Sequence, residues 1–178
     1  MGAEAMSAAE AVNRLTRWRD DFPTPGVRFA DLTPVFADGE ALKAIIDGLA
    51  ATGPDADLVA GIDARGFLLG AGVAIALNRG VLAVRKGGKL PPPVLTREYQ
   101  LEYGTARLEI PGDGLDLRGK RVLLVDDVLA TGGTLAAAAE LLGQAGASIT
   151  AVGVVLELTA LGGRSRAGDY PLTSLVQV

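Results

Sequence analysis

Leu42, Ile45, Ile46 and Leu49 recur at helical spacing, which predicts an amphipathic helix over Glu40–Ala51, closed by Gly53-Pro54. Leu58–Ile62 is an unbroken apolar run of strand length ending at Asp63, the pattern of a strand buried on both faces. Arg65–Leu77 is apolar on most sides, as a helix packed deep against a sheet must be, and Asn78-Arg79-Gly80 resembles a helix C-cap. Val81–Val84, Val122–Val125, Ser148–Leu158 and Pro171–Val178 read as further strands, with an Ala-rich helix from about Thr134 to Gln144. An opening helix begins after Ser7, where Glu10 completes a capping box. It is expected to reach about Arg19, before Phe22-Pro23-Thr24-Pro25-Gly26 forbids regular structure. Thr96–Ile110 alternates Tyr99, Leu101 and Tyr103 with polar partners and predicts a β-hairpin or flap around Gly104. Lys86–Pro93 reads as an exposed loop and Pro111–Gly119 as a turn-rich connector.

Strand and helix alternate along the chain. The expected fold is therefore α/β, a mostly parallel twisted sheet with helices on both faces. No internal repeat, low-complexity tract or linker divides residues 1–178, so a single domain is expected. Ligands in such folds sit beyond the carboxyl ends of the strands. Three loops then share one rim: after Ile62, after Val84 and after Val125.

Composition narrows the chemistry. The chain has 178 residues, 49% of them hydrophobic, which is a globular share able to bury a substantial core. The net charge of −4 argues against a non-specific nucleic-acid binder. With no Cys, disulfides, thiolate metal sites and a Cys nucleophile are excluded. With no His, Ser-His-Asp hydrolysis, HExxH zinc chemistry and imidazole catalysis are excluded too. Proton transfer falls to Asp, Glu, Tyr, Lys or water. Met1–Arg19 lacks the apolar core of a signal peptide, and Gly66–Leu77 is too short to span a bilayer, so a cytoplasmic protein without membrane contact is expected.

The densest chemistry lies in Val122–Thr134. An apolar strand delivers Asp126 and Asp127, and Ala130-Thr131-Gly132-Gly133-Thr134 then turns into a helix. Such a turn aims backbone N–H groups and a positive helix end at one point, which suits a phosphate monoester, and Thr131 and Thr134 add hydroxyl donors. The two carboxylates would repel that phosphate, so they suit sugar hydroxyls on the same ligand. The bland alternative is a surface acidic pair beside an N-cap threonine. A P-loop is excluded because the Gly-Lys-[Ser/Thr] step is missing. Gly61-Ile62-Asp63-Ala64-Arg65 offers a strand end with a guanidinium suited to bidentate phosphate contact, or else an Arg that only pairs with Asp63. Arg85, Lys86 and Lys89 form either a basic anion-binding loop or a solvated turn.

The Val122–Thr134 segment resembles the phosphoribosyl-pyrophosphate motif of the type I phosphoribosyltransferases. Asp21–Gly26, Ala60–Gly66, Arg85–Pro91, Leu101–Gly104 and Leu123–Thr134 resemble, in order, the blocks of that family's adenine-specific branch. The likeness runs from about Asp20 to the C-terminus. It implies the type I phosphoribosyltransferase fold, with an adenine-binding hood in about residues 1–35 and a flexible flap at about 94–110. The implied reaction joins adenine to 5-phosphoribosyl 1-pyrophosphate, giving AMP and pyrophosphate.

By that resemblance Ala130, Thr131, Gly132, Gly133 and Thr134 hold the 5-phosphate, while Asp126 and Asp127 hold the ribose diol. Asp63, Ala64 and Arg65 form a pyrophosphate loop, where the family often bends its backbone unusually. Arg85, Lys86 and Lys89 serve pyrophosphate too, partly across a homodimer interface. Val27–Ala30 forms the adenine pocket: Phe29 stacks on the ring, or is simple core, and main chain near Arg28 reads the base edge. The family carries a basic residue where this chain has Ala30, so only main-chain contacts are expected there. Arg65 and the flap pair Glu102 and Tyr103 are the catalytic candidates. Glu102 would manage the proton of the base and Tyr103 would close over the ribose; an ordinary hairpin tip is the alternative. Mg²⁺ is expected mainly through substrate oxygens and water, with no dedicated protein ligand.

Two rival readings remain. A 6-oxopurine would want a donor, commonly a Lys above the phosphate motif, yet the chain after Thr150 is apolar until Glu157. A non-catalytic sensor of the same fold would add a nucleic-acid-binding element, and neither an extra domain nor a basic surplus is present.

Overall fold

The computed structural model describes residues 6–101 and 104–178. Helix α1 (Ala8–Leu15) leads into a short antiparallel pair, β1 (Arg17–Arg19) and β2 (Phe29–Asp31). Helices α2 (Thr33–Ala37) and α3 (Gly39–Ala50) follow, then β3 (Leu58–Ile62), α4 (Arg65–Leu77) and β4 (Gly80–Lys86). A hairpin, β5 (Val94–Leu101) and β6 (Gly104–Pro111), precedes β7 (Arg121–Leu129), α5 (Gly133–Gln144) and β8 (Ser148–Glu157). A 3₁₀ turn (Thr159–Leu161), a four-residue helix α6 (Gly163–Arg166) and β9 (Leu172–Gln177) complete the order. The main sheet runs β5-β6-β4-β3-β7-β8-β9. Neighbours from β4 through β9 pair parallel, and the β5–β6 hairpin joins antiparallel at the β4 edge.

Period-two alternation splits each central strand between two cores. Val59, Leu123, Val125 and Val155 face α1, α3 and α4, packing with Val12, Ile45, Leu49, Leu69 and Val73. Ala60, Val122, Leu124, Val152 and Val154 face the other way, against Leu135, Ala138, Leu141 and Leu142 of α5. Each fully buried Leu or Ile contributes roughly 1.5–3 kcal/mol, so the two faces stabilise the sheet jointly. Among the described residues no helix is long and apolar enough to cross a membrane.

The structure departs from the sequence reading in four places. Helix α1 stops at Leu15 rather than Arg19: Thr16 turns extended, its N–H and hydroxyl both donate to the Val12 carbonyl, and residues 17–19 pair with 29–31. Strand β7 continues past Val125 to Leu129 because β8 keeps pairing with it, so Asp126 and Asp127 lie in a strand and the third rim loop begins after Leu129. Strand β4 likewise extends to Lys86, pairing with Leu108 of β6. The short helices α2 and α6 had no apolar period long enough to read.

Candidate active site

The carboxyl ends of β3, β4 and β7 open into one cleft of about 1570 Å³. That exceeds the ~300–1,000 Å³ of a common small-molecule pocket and suits two ligands held side by side. Asp63, Ala64, Arg65, Asp126, Asp127, Thr131 and Thr134 all line it. Residues separated by seventy positions therefore meet because their strands are neighbours in the sheet.

Asp126 is half-buried. Its Oδ1 accepts the Asp127 N–H at 2.9 Å and lies where a Cβ on Gly66 would come within 3.2 Å of it. Loss of hydration, then the neighbouring Asp127 charge, pushes its carboxyl well above the usual range. Asp127 is only 5% exposed, and the Nε of Arg65 stands 2.6 Å from its Oδ2. That Oδ2 makes no aligned hydrogen bond, so the ion pair leaves a buried acceptor with unused lone pairs. Arg65 also lies over the Phe29 ring, its Cζ 5.6 Å from the centroid.

The turn after β7 prepares a second feature. Helix α5 starts from Gly132, in the left-handed region at φ 84°, with no side chain capping its first N–H groups. Helix α4 starts at Arg65, likewise without a side-chain cap. Both N-terminal ends carry partial positive charge toward the cleft, each favouring an anion by about 0.3–1 kcal/mol at the surface and up to ~2 kcal/mol when partly buried. The β5–β6 hairpin reaches this point: Thr134 Oγ1 donates to the Tyr99 hydroxyl at 3.4 Å, and Arg97 of β5 pairs with Glu140 of α5.

Asp63 does not pair with Arg65, as the bland reading of that loop had it. Its Oδ2 accepts the Lys86 N–H at 3.2 Å and lies 3.3 Å from Arg85 Nε. The peptide joining Asp63 to Ala64 is cis. Buried Glu109 accepts the N–H groups of Lys89 at 2.6 Å and Leu90 at 2.8 Å, tying down the loop between β4 and β5. The backbone N–H of Gly88, with those of Lys89 and Leu90, holds the Glu109 carboxyl below the usual range. Lys86 lines the cleft, whereas Arg85 and Lys89 do not.

Across the cleft stands the β1–β2 pair, the region expected to form the hood. Phe29 packs edge-on against Phe22 at 5.1 Å, Arg28 lies 4.5 Å over the Trp18 ring, and Ala30 is 4% exposed. Arg28, Phe29 and Ala30 all line the cleft, so the predicted base pocket faces the acidic pair. Glu102 and Tyr103, the flap candidates, lie outside the described residues.

Sequence reasoning missed Trp18, Tyr99, Leu158, Leu161 and Val178 as cleft residues. Trp18 was hidden by the expected extension of the first helix. The C-terminal group follows strands whose apolar ends carry no chemical signal. Among the described residues no group of three or more Asp or Glu side chains is placed to hold a metal ion.

A family model, the phosphoribosyl transferase domain, matches residues 35–177. The chain belongs to the phosphoribosyltransferase family. Within that family its relatives are adenine phosphoribosyltransferases. The one from Nocardia farcinica is 73% identical over 171 residues, covering 96% of this chain and 90% of the relative. The crystal structure of the Saccharomyces cerevisiae adenine phosphoribosyltransferase, complexed with an imino-altritol bisphosphate and adenine, superposes with a TM-score of 0.88 at 35% identity, covering 95% of this chain and 98% of that one. The Trypanosoma brucei structure, in complex with AMP, pyrophosphate and ribose-5-phosphate, gives 0.85 at 27% identity over 98% and 81%.

Proposed function

We propose that the chain is an enzyme transferring the 5-phosphoribosyl group from 5-phosphoribosyl 1-pyrophosphate to adenine, releasing pyrophosphate and forming AMP. One observation carries this reading. An acidic pair, an uncapped glycine-rich helix start and an aromatic hood share one cleft, each matched to a different fragment of the product. The hood and flap act as parts of the same single functional unit.

The turn at Ala130, Thr131, Gly132, Gly133 and Thr134 receives the 5-phosphate on backbone N–H groups and two hydroxyls. Asp126 and Asp127 accept the ribose diol, which supplies the donors that the Asp127 Oδ2 lacks. Arg65, displaced from Asp127 by that diol, is free to turn its fork toward the pyrophosphate beside Asp63 and Ala64. Phe29 stacks on adenine while main chain near Arg28 and Ala30 reads its edge. As the bond from the anomeric carbon to pyrophosphate breaks, a purine nitrogen bonds to that carbon and loses its proton. Glu102 manages that proton, and Tyr103 closes over the ribose to exclude water.

Pyrophosphate brings its own dense charge, which suits a Mg²⁺ ion that arrives mainly on substrate oxygens and water. The ion would offset charge on the leaving group. We assign the chain to the cytoplasm and to a homodimer. Exposed Leu68 and Ile75, seven residues apart on one face of α4, support a second copy as the cover for that face. Lys89 is exposed and does not line its own cleft, which fits a basic loop that serves the neighbouring subunit.

A pyrophosphate-release assay tests the reading. Adenine should support turnover and hypoxanthine should not, while turnover with hypoxanthine alone would reassign the base. Salt-sensitive RNA binding without any turnover would favour the sensor reading instead.

A further inference from the structure

Glu157 ends β8 as a buried carboxylate, 4% exposed. Arg164 of α6 grips it with both arms, Nε at 3.1 Å and Nη2 at 2.5 Å. The Ser174 hydroxyl and the Gln177 amide, at 3.0 Å, donate to it as well. Arg164 also donates to the Leu172 carbonyl at 2.7 Å and to Ser174 Oγ at 3.0 Å. A buried ion pair is weak support for stability as such, since an apolar cap could close the end of a sheet as well. What the pair touches next is more informative.

Gly163, the residue before Arg164, lies backbone to backbone against the glycine-rich turn. A Cβ on Gly163 would sit 2.1 Å from the Ala130 carbonyl oxygen, and a Cβ on Gly132 would sit 2.2 Å from the Gly163 carbonyl oxygen. Neither side has room for a methyl group. Ala130–Gly132 lies between the end of β7 and the start of α5, so no ladder or helix fixes it. Helix α6 has only four residues and buries only Gly163 among them. Its placement therefore leans on the Arg164 fork together with Ala167, the buried residue that follows it.

We propose that Glu157 and Arg164 are positioning residues for the 5-phosphate turn, acting through Gly163, whose backbone is the floor on which Ala130–Gly132 is shaped. This rests on the reading of that turn as the phosphate site. Neither side chain contacts substrate. Their role is to hold the N–H groups in the geometry the phosphate requires, where sub-ångström displacement is costly.

The test uses two full-length variants, Arg164→Lys, which keeps the charge but loses the fork, and the isosteric Glu157→Gln. Calorimetry with ribose 5-phosphate and, separately, with pyrophosphate is compared with KM for each substrate; Arg118→Lys, on an exposed pair far from the turn, is the control. Either positioning variant should weaken ribose 5-phosphate about tenfold, about 1.4 kcal/mol, with pyrophosphate binding unchanged. KM for phosphoribosyl pyrophosphate should rise while KM for adenine holds. Unchanged ribose 5-phosphate affinity in both folded variants, or equal weakening of both ligands, would overturn the proposal. If the wild-type protein bound pyrophosphate but not ribose 5-phosphate, the assignment of the turn itself would fall, and the brace with it.

Discussion

Arg65 and Asp127 face each other across the floor of the cleft, Nε 2.6 Å from Oδ2, in a pair that is close yet not aligned as a hydrogen bond. The guanidinium thus neutralises a buried charge in the ligand-free protein without satisfying its lone pairs. A sugar diol can do what the Arg does not.

Arg65→Ala should therefore cost both stability and cosubstrate affinity. Because Arg65 keeps 42% of its side chain exposed, the stability loss should be on the order of 1–2 kcal/mol, below that of a fully buried pair. Loss of a charge-assisted contact to pyrophosphate should lower its affinity by about 10–100-fold. Denaturant unfolding and calorimetry with pyrophosphate measure the two effects. Unchanged pyrophosphate affinity would remove Arg65 from the anion site.

Asp126→Asn should separate stability from function. The folded protein raises the Asp126 pKa, by burial first and by the Asp127 charge second. Its ionised form is therefore disfavoured in the fold, and its contribution to stability is present at low pH and lost as pH rises through the raised value. The amide removes that loss and can still accept the Asp127 N–H. The Tm advantage of the variant should widen from acidic to neutral pH, by roughly 2–4 °C per kcal/mol relieved, while ribose 5-phosphate affinity falls. Thermal melts across that range check the sign.

Glu157 should act in the opposite direction. Hydrogen bonding from Arg164, ahead of Ser174 and Gln177, holds its carboxyl below the usual range. Its stabilisation is complete above the ordinary Glu value of about 4.3 and is lost as pH falls through the depressed one. Acid unfolding of Glu157→Gln should accordingly show a shallower pH dependence below about pH 4.3 than the wild type. Equal slopes in both proteins would contradict the shift.

Much of this arrangement was legible in the sequence. Leu58–Ile62 and Arg65–Leu77 declared themselves at the observed boundaries because both are unbroken apolar runs. Burial on both faces explains the strand, but α4 buries only one side: Leu69, Val73 and Ala74 face the core while Leu68 and Ile75 stay exposed, contrary to the expectation of a helix packed deep on most sides. The acidic pair and the glycine-rich turn were readable because few folds tolerate two carboxylates at the end of such a strand. Trp18 and the partnership of Arg65 with Asp127 were not readable. Both depend on which strands become neighbours, and that is settled by tertiary pairing rather than by local pattern. The Glu157–Arg164 brace was hidden in the same way, since α6 has no apolar period of its own.

The exposed face of α4 offers a test of assembly. Leu68→Asp with Ile75→Asp should shift sedimentation from dimer to monomer and leave the fold intact, because both side chains are solvent-exposed in a single chain, 60% and 82% respectively. A dimer that persists in the double variant would place the interface elsewhere.

Glu102→Gln should reduce turnover with adenine by about 10²–10⁴-fold, the usual weight of a positioned proton acceptor, with cosubstrate affinity near that of the wild type. Unchanged turnover would return the residue to an ordinary hairpin tip.

The most direct measurement is calorimetric titration of phosphoribosyl pyrophosphate with Mg²⁺ into the wild-type protein and into the Asp126→Asn, Asp127→Asn double variant. Saturable binding to the wild type, weakened at least about tenfold in the variant, is the expected result. No heat with the wild type, or the same affinity in both proteins, would contradict the assignment of the acidic pair and the glycine-rich turn to one ribose 5-phosphate.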